Sequence, residues 1–197
     1  MLALVVIAHP STDSFCHALA ARAETGLRAA GHEVFVLDLY ADDVTAAMSA
    51  DERHAYHGDA PILDPVIAAH AELVQRAEAL VFVYPTWWSG LPAILKGWLE
   101  RVMVPGVGFV LDERTNKVRP GLRQMRRLVG VSTYGSPRWY VRLVNDNGRR
   151  IITRALRMSC GFRVRTSWLG LYAIDTSTPG ERQAFLAHVE QQMADLR

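Results

Sequence analysis

Five short apolar runs alternate with stretches of helical periodicity along the chain, and this alternation restricts the fold more than any other feature. Leu2 to Ala8 is continuously apolar, as suits a central strand covered on both faces. After Ser11-Thr12-Asp13-Ser14, the apolar positions Phe15, Leu19, Ala23 and Leu27 recur at helical spacing as far as Gly31. Glu33 to Asp38 reads as a second strand, Pro65 to Ala77 as a helix and Ala79 to Tyr84 as a third strand. Pro92 to Val104 then reads as a helix with proline in its first turn, and Leu128 to Thr133 as the fourth strand. A long helix is expected between Val141 and Met158, followed by a fifth strand over Arg163 to Leu169. Pro179-Gly180-Glu181 opens a final helix that should turn Phe185, Leu186, Val189 and Met193 inward. Strands separated by helices need crossover connections, which predicts a mainly parallel, doubly wound α/β sheet with helices on both faces.

The intervening segments are less legible. Residues 44 to 64 have no strong period, although Ser49-Ala50-Asp51-Glu52 has the form of a capping box. Residues 105 to 127 read as a loop or irregular hairpin. No repeat, low-complexity tract or linker interrupts the pattern, so 197 residues are expected to form a single domain, 1–197.

Composition excludes several function classes. The formal net charge is only +2 and Lys and Arg are spread along the chain, which gives no reason to expect a nucleic-acid partner. One basic cluster does occur, in Arg138, Arg142, Arg149, Arg150, Arg154 and Arg157; it suits either a solvated helix face or contact with a phosphate-bearing ligand or partner. Cys16 and Cys160 match neither a disulfide framework nor a metal-ligand spacing, so reduced thiols, no metal and a cytoplasmic setting are expected. The first apolar run lacks the parts of a signal peptide. Leu80 to Leu99 approaches membrane-spanning length, but Pro85, Ser89-Gly90, Pro92 and Lys96 divide it, and no membrane insertion is expected.

In doubly wound sheets ligands sit beyond the carboxyl ends of the strands, so the loops after Ala8, Tyr84 and Thr133 are the places to search. His9-Pro10-Ser11-Thr12-Asp13-Ser14-Phe15 leads into a helix amino terminus, where a phosphate would be favoured; simple capping by Asp13 or Ser14 is the competing reading. Neither Gly-x-Gly-x-x-Gly nor a Walker lysine motif is present, which argues against the usual dinucleotide and nucleoside-triphosphate sites and leaves a mononucleotide such as a flavin. Tyr84-Pro85-Thr86-Trp87-Trp88-Ser89-Gly90 places two tryptophans at a strand end, where a flat aromatic ligand would use them; core or subunit-interface packing is the alternative. Thr133-Tyr134-Gly135-Ser136-Pro137 follows the fourth strand with a glycine that permits close backbone approach.

These residues resemble the flavodoxin-fold NAD(P)H:quinone oxidoreductase family, which includes DT-diaphorase-like enzymes and the ancillary oxidoreductases of potassium-efflux systems. The resemblance rests on His9-Pro10 with Ser14-Phe15, on Asp38-Leu39-Tyr40, and above all on Tyr84-Pro85 through Trp88, Gly90, Pro92-Ala93 and Leu95 to Val102. It implies a five-stranded parallel sheet of order 2-1-3-4-5 and a bound flavin, FMN ahead of FAD. His9, Ser14 and Phe15 would hold its phosphate and ribityl chain, with Cys16 standing where the family commonly has asparagine. Pro85, Thr86, Trp87 and Trp88 would frame the isoalloxazine, Trp88 matching the family's tryptophan more closely than Trp87. Thr133, Tyr134, Gly135 and Ser136 would line the pyrimidine end, and Tyr140 is the candidate catalytic side chain, with packing or lid duty as the alternative. The implied activity is hydride transfer from NAD(P)H through the flavin to a quinone or related acceptor by a substitution (ping-pong) scheme, in a homodimer. The alternatives are a flavin-binding regulatory subunit of a membrane transporter and a flavodoxin-like electron carrier, the latter disfavoured by the slightly basic charge.

Overall fold

The computed structural model describes residues 1–197. Five parallel strands, β1 (Leu2–Ile7), β2 (Glu33–Asp38), β3 (Ala79–Pro85), β6 (Arg127–Thr133) and β7 (Arg165–Leu171), form one sheet in the order β2-β1-β3-β6-β7. This is the 2-1-3-4-5 order expected, with a small antiparallel hairpin, β4 (Phe109–Leu111) and β5 (Val118–Pro120), set apart from it. The order follows from the side chains. Every residue of β1 and β3 is buried, so these strands take the centre, while β2 and β7 mix exposed and buried positions and take the edges.

Alternation along β1 sends its residues to two cores. Leu2, Leu4, Val6 and Ala8 face α3 (Pro65–Arg76) and α4 (Ala93–Val102), packing with Ile67, Val74, Leu95 and Trp98. Ala3, Val5 and Ile7 face α1 (Phe15–Ala29) and α8 (Pro179–Ala194), among Leu19, Ala23, Leu27, Val189 and Met193. Phe185 and Leu186, expected inward, are half-buried against that second core. Close approach of α1 and α8 depends on Gly26, where a Cβ would lie 2.2 Å from the Glu190 carbonyl oxygen.

The capping box is formed at α2 (Ala50–Ala55): Glu52 N–H donates to Ser49 Oγ at 3.1 Å, and Ser49 N–H donates to Glu52 Oε2 at 2.7 Å. The same Glu52 meets a buried arginine. Arg101, on the inner face of α4, donates from Nε to Glu52 Oε1 (2.8 Å), from Nη1 to the Thr45 carbonyl (2.8 Å) and from Nη2 to Asp64 Oδ2 (2.6 Å). Asp64 in turn caps α3 through the Val66 amide. One guanidinium thus fastens the whole poorly patterned segment 44–64 to α4.

The long helix expected between Val141 and Met158 is broken. It consists of α5 (Arg138–Leu143), α6 (Asn147–Arg150), a π-helical turn over Ile151–Ala155 and α7 (Leu156–Cys160). The break falls where Asn145 (φ +79°) and Asp146 (φ +44°) adopt the left-handed region, which Asn and Asp tolerate better than other side chains. The fifth strand starts at Arg165 rather than Arg163. At the amino edge of the sheet, His32 Nε2 lies 2.7 Å from the Leu196 carbonyl oxygen and its Nδ1 3.5 Å from the Met1 nitrogen, so both ends of the chain meet there. No helix is long and apolar enough to cross a membrane.

Candidate functional site

The loops after β1, β3 and β6 emerge together at the opposite, carboxyl edge, because these three strands are neighbours in the sheet. In the first, Ser14 has extended backbone and its Oγ accepts from the His17 amide at 3.3 Å, capping α1. The amides of Phe15 and Cys16, at the positive end of the helix dipole, donate to no acceptor within the protein. They are free for an anion.

Sequence reading missed His17. Its Nε2 lies 2.9 Å from Asp38 Oδ2 at the end of β2, and its Nδ1 lies 3.0 Å from Ser14 Oγ. A carboxylate accepts, so Nε2 donates to Asp38, and Nδ1 pairs with the Ser14 hydroxyl. A histidine three residues past a capping serine was visible in the sequence; its pairing with Asp38 across two elements was not.

The second loop is a tight turn, closed by donation from Gly90 N–H to the Trp87 carbonyl at 3.0 Å. Its central residues, Trp88 (φ +47°) and Ser89 (φ +58°), are both left-handed, the geometry of a type I′ turn normally built from Asn and Gly. Non-glycine residues there carry about 1–2 kcal/mol of strain each. The Trp88 side chain is fully exposed, whereas Trp87 is partly covered, its ring 5.9 Å from that of His9. The amides of Trp88 and Ser89 have no acceptor within the protein. Beneath the turn, Thr86 N–H donates to the Thr133 carbonyl at 2.8 Å, the Thr86 and Ser132 hydroxyls meet at 2.9 Å, and Ser132 Oγ donates to the Tyr84 carbonyl at 3.0 Å. This hydroxyl chain ties the second loop to the third.

In the third loop the Tyr134 ring stacks on Tyr172 with centroids 4.5 Å apart, and its hydroxyl donates to Asp146 Oδ1 at 3.0 Å. Burial, then the Asp146 charge, pushes the Tyr134 hydroxyl far above the ordinary tyrosine value, so it stays protonated. Gly135 and Ser136 again present amides with no acceptor within the protein. Gly135 lies so close to the Asp175 carboxylate that a Cβ would come within 2.9 Å of Oδ2.

A recess of about 270 Å³ opens between the second and third loops, lined by Thr86, Trp88, Ser89, Tyr134, Gly135, Ser136 and, from α5 and the turn after it, Tyr140, Val141, Val144 and Asp146. It brings together most of the residues singled out in those loops. Pro85 and Thr133 pair with one another at the ends of β3 and β6 and support the recess from inside the sheet. His9, Ser14, Phe15 and Cys16 do not line it; they form a neighbouring shelf joined to the turn by the His9–Trp87 contact. Cys16 is buried, and desolvation pushes its thiol up to about 11 despite the Thr133 hydrogen bond, so it packs as a neutral thiol. An anion shelf at a helix amino terminus, an exposed aromatic turn and pairs of free amides on two loops make a donor set suited to a planar, polar-edged ring carrying a phosphate tail.

The flavodoxin-like fold family model, Flavodoxin_2, matches residues 1–196. The NAD(P)H dehydrogenase [quinone] 1 of Rattus norvegicus is 30% identical over 199 residues, which is 91% of this chain and 72% of that protein. The crystal structure of Smu.1420 from Streptococcus mutans UA159 superposes with a TM-score of 0.86 at 27% identity, covering 100% of both chains. An FMN-dependent NADH-azoreductase from Bacillus anthracis str. Ames Ancestor, solved in complex with FMN, shares the fold at a TM-score of 0.74 and 15% identity, covering 98% of this chain and 97% of that one.

Proposed function

The chain belongs to the flavodoxin-like family of NAD(P)H:quinone oxidoreductases, and from that premise we propose that it is a flavin-dependent enzyme taking hydride from NAD(P)H and passing it to a quinone or related acceptor. The observation that carries this reading is the convergence at one sheet edge of the free Phe15 and Cys16 amides, the exposed Trp88 turn and the free amides of Gly135 and Ser136. A bound flavin supplies the hydride acceptance and donation that no side chain here provides. We take it to be FMN, as in the Bacillus anthracis azoreductase.

The residues have distinct tasks. Phe15 and Cys16 amides hold the phosphate, and His17, locked by Asp38, keeps Ser14 in its capping rotamer. The Trp88–Ser89 turn and the Gly135–Ser136 amides would present fixed donors to the polar edges of a bound flavin. Tyr140, half-exposed on the rim, donates a hydrogen bond to the substrate oxygen, while Trp88 and Tyr140 together cover the ring from water. Both substrates would meet the flavin at this one edge of the sheet, which favours the substitution scheme in which oxidised nicotinamide leaves before the acceptor enters. The exposed Trp139 and Leu143 beside Tyr140 suit an isologous homodimer interface at the same rim.

The test is an absorbance spectrum of the purified protein, identification of the flavin released on denaturation, and initial rates with NADPH and a benzoquinone. Parallel double-reciprocal lines are expected. Converging lines would rule out the substitution scheme, and a colourless protein that gains no spectrum on incubation with FMN or FAD would rule out the site. Sedimentation at micromolar concentration checks the dimer.

A further inference from the structure

The broken helix that follows the third loop carries a second recess, of about 250 Å³, which contains no apolar side chain. Arg142 from α5, Arg149 and Arg150 from α6 and Arg154 from the π-helical turn line it, and none of their guanidinium groups makes an ion pair or hydrogen bond elsewhere in the protein. Asp146 is its single acidic residue, and that carboxylate already accepts the Tyr134 hydroxyl. Four guanidiniums facing one engaged carboxylate leave a strongly positive concavity, whose self-repulsion a multiply charged anion would relieve.

Its position selects the anion. Asp146 lines both this recess and the one proposed above for the reacting ring, so the two are contiguous. The backbone between them is unusual twice over: Asn145 and Asp146 are left-handed, and Ile151–Ala155 is a π-helical turn, a device concentrated at functional sites. Arginines from three helical segments thus line one recess at a break in the helix. Arg149 is further steadied over the Trp168 ring, 6.0 Å from its centroid.

Resting on the reading of the first recess as the edge where NAD(P)H meets the flavin, we propose that Arg142, Arg149, Arg150 and Arg154 bind the 2′-phosphate of NADPH, so that the enzyme prefers NADPH to NADH. A phosphate monoester brings up to two negative charges and three acceptor oxygens, which guanidinium forks match in pairs. Each bridging phosphoryl of the pyrophosphate common to both dinucleotides brings only one charge.

The decisive variant is R150Q/R154Q, which leaves Arg149 on Trp168 and touches nothing lining the reacting recess. With the flavin-loaded enzyme, KM for NADPH should rise at least tenfold while kcat, KM for NADH and the rate with a phosphate-free N-alkyl dihydronicotinamide stay unchanged. Equal changes for NADPH and NADH, or none for either, overturn the proposal. A calorimetric comparison of 2′,5′-ADP with 5′-AMP gives a readout independent of turnover. Tighter binding of 2′,5′-ADP, lost in the variant and weakened by salt, supports the 2′-phosphate site. Equal binding of the two nucleotides shows a merely solvated arginine face and overturns it. If wild type oxidises no dihydronicotinamide of any kind, the proposed function fails, and the calorimetric result still decides the recess.

Discussion

Replacing Arg101 by methionine should be among the most damaging single changes in the molecule, although the residue lines neither recess. Arg101 and Glu52 are 5% and 8% exposed, so removing the guanidinium strands a buried carboxylate as well as the Thr45 carbonyl. Breaking a buried pair in this way costs about 3–5 kcal/mol. In a chain of this length that corresponds to a fall in Tm of about 6–20 °C, and to a urea midpoint about 2 M lower at an m-value of about 2 kcal/mol/M. The loss should depend on pH in a definite direction. Burial pushes the Glu52 carboxyl up, but hydrogen bonds from Ser49 and Arg101 outweigh it and hold it below its ordinary value of 4.5. In wild type that stabilisation is complete above this value and is lost as pH falls through and below it. In R101M the unpaired carboxyl is raised instead and can shed its charge in mild acid. The difference between wild type and R101M should therefore shrink between pH 7 and pH 4. E52Q/R101M, which keeps a capping-box side chain without a buried charge, should recover most of the stability. Urea denaturation of the three proteins at both pH values is the assay. A loss below about 1 kcal/mol at pH 7, a pH-independent loss, or no rescue in the double variant would refute the reasoning.

Trp88→Gly relieves a left-handed tryptophan whose side chain is fully exposed, so stability to urea should hold or rise by up to about 1 kcal/mol while flavin affinity and turnover fall. A parallel loss of stability would show that the indole packs in the folded protein. Ser14→Ala removes the α1 cap and should cost about 1 kcal/mol in the same denaturation assay, with flavin affinity reduced as the Phe15 and Cys16 amides loosen. Cys16 and Cys160 are buried, their thiols pushed up to about 11 and about 12 by desolvation, so Ellman's reagent at pH 8 should find neither in the native protein and both after denaturation. Rapid labelling of the native protein would contradict that burial.

The central strands were legible because burial on both faces leaves unbroken apolar runs, as in Leu2 to Ala8 and Ala79 to Tyr84. Their helical crossovers then made the parallel arrangement and the positions of the three loops follow. What escaped was conformation set by tertiary context. Nothing in Trp87-Trp88-Ser89-Gly90 carries the Asn-Gly signal of a type I′ turn, since the left-handed residues are a tryptophan and a serine held there against their preference. The break at Asn145-Asp146 did leave a trace, the polar Asn145-Asp146-Asn147-Gly148 stretch, but the apolar positions on either side preserve helical spacing across it. Arg101 resembles a surface charge late in a helix until segment 44–64 folds over it with Glu52 and Asp64. His17 is likewise anonymous until β2 brings Asp38 alongside.

His32 draws the chain's first and last turns together at the foot of the sheet, roughly 20 Å of strand away from the loops that bear the site. A tether at either end would therefore hold the molecule upright, with its working edge facing the medium and the foot against the support. On an electrode that orientation keeps the reacting edge open to dissolved substrates while holding it a full strand length from the metal, so mediated current through a soluble quinone should exceed direct current.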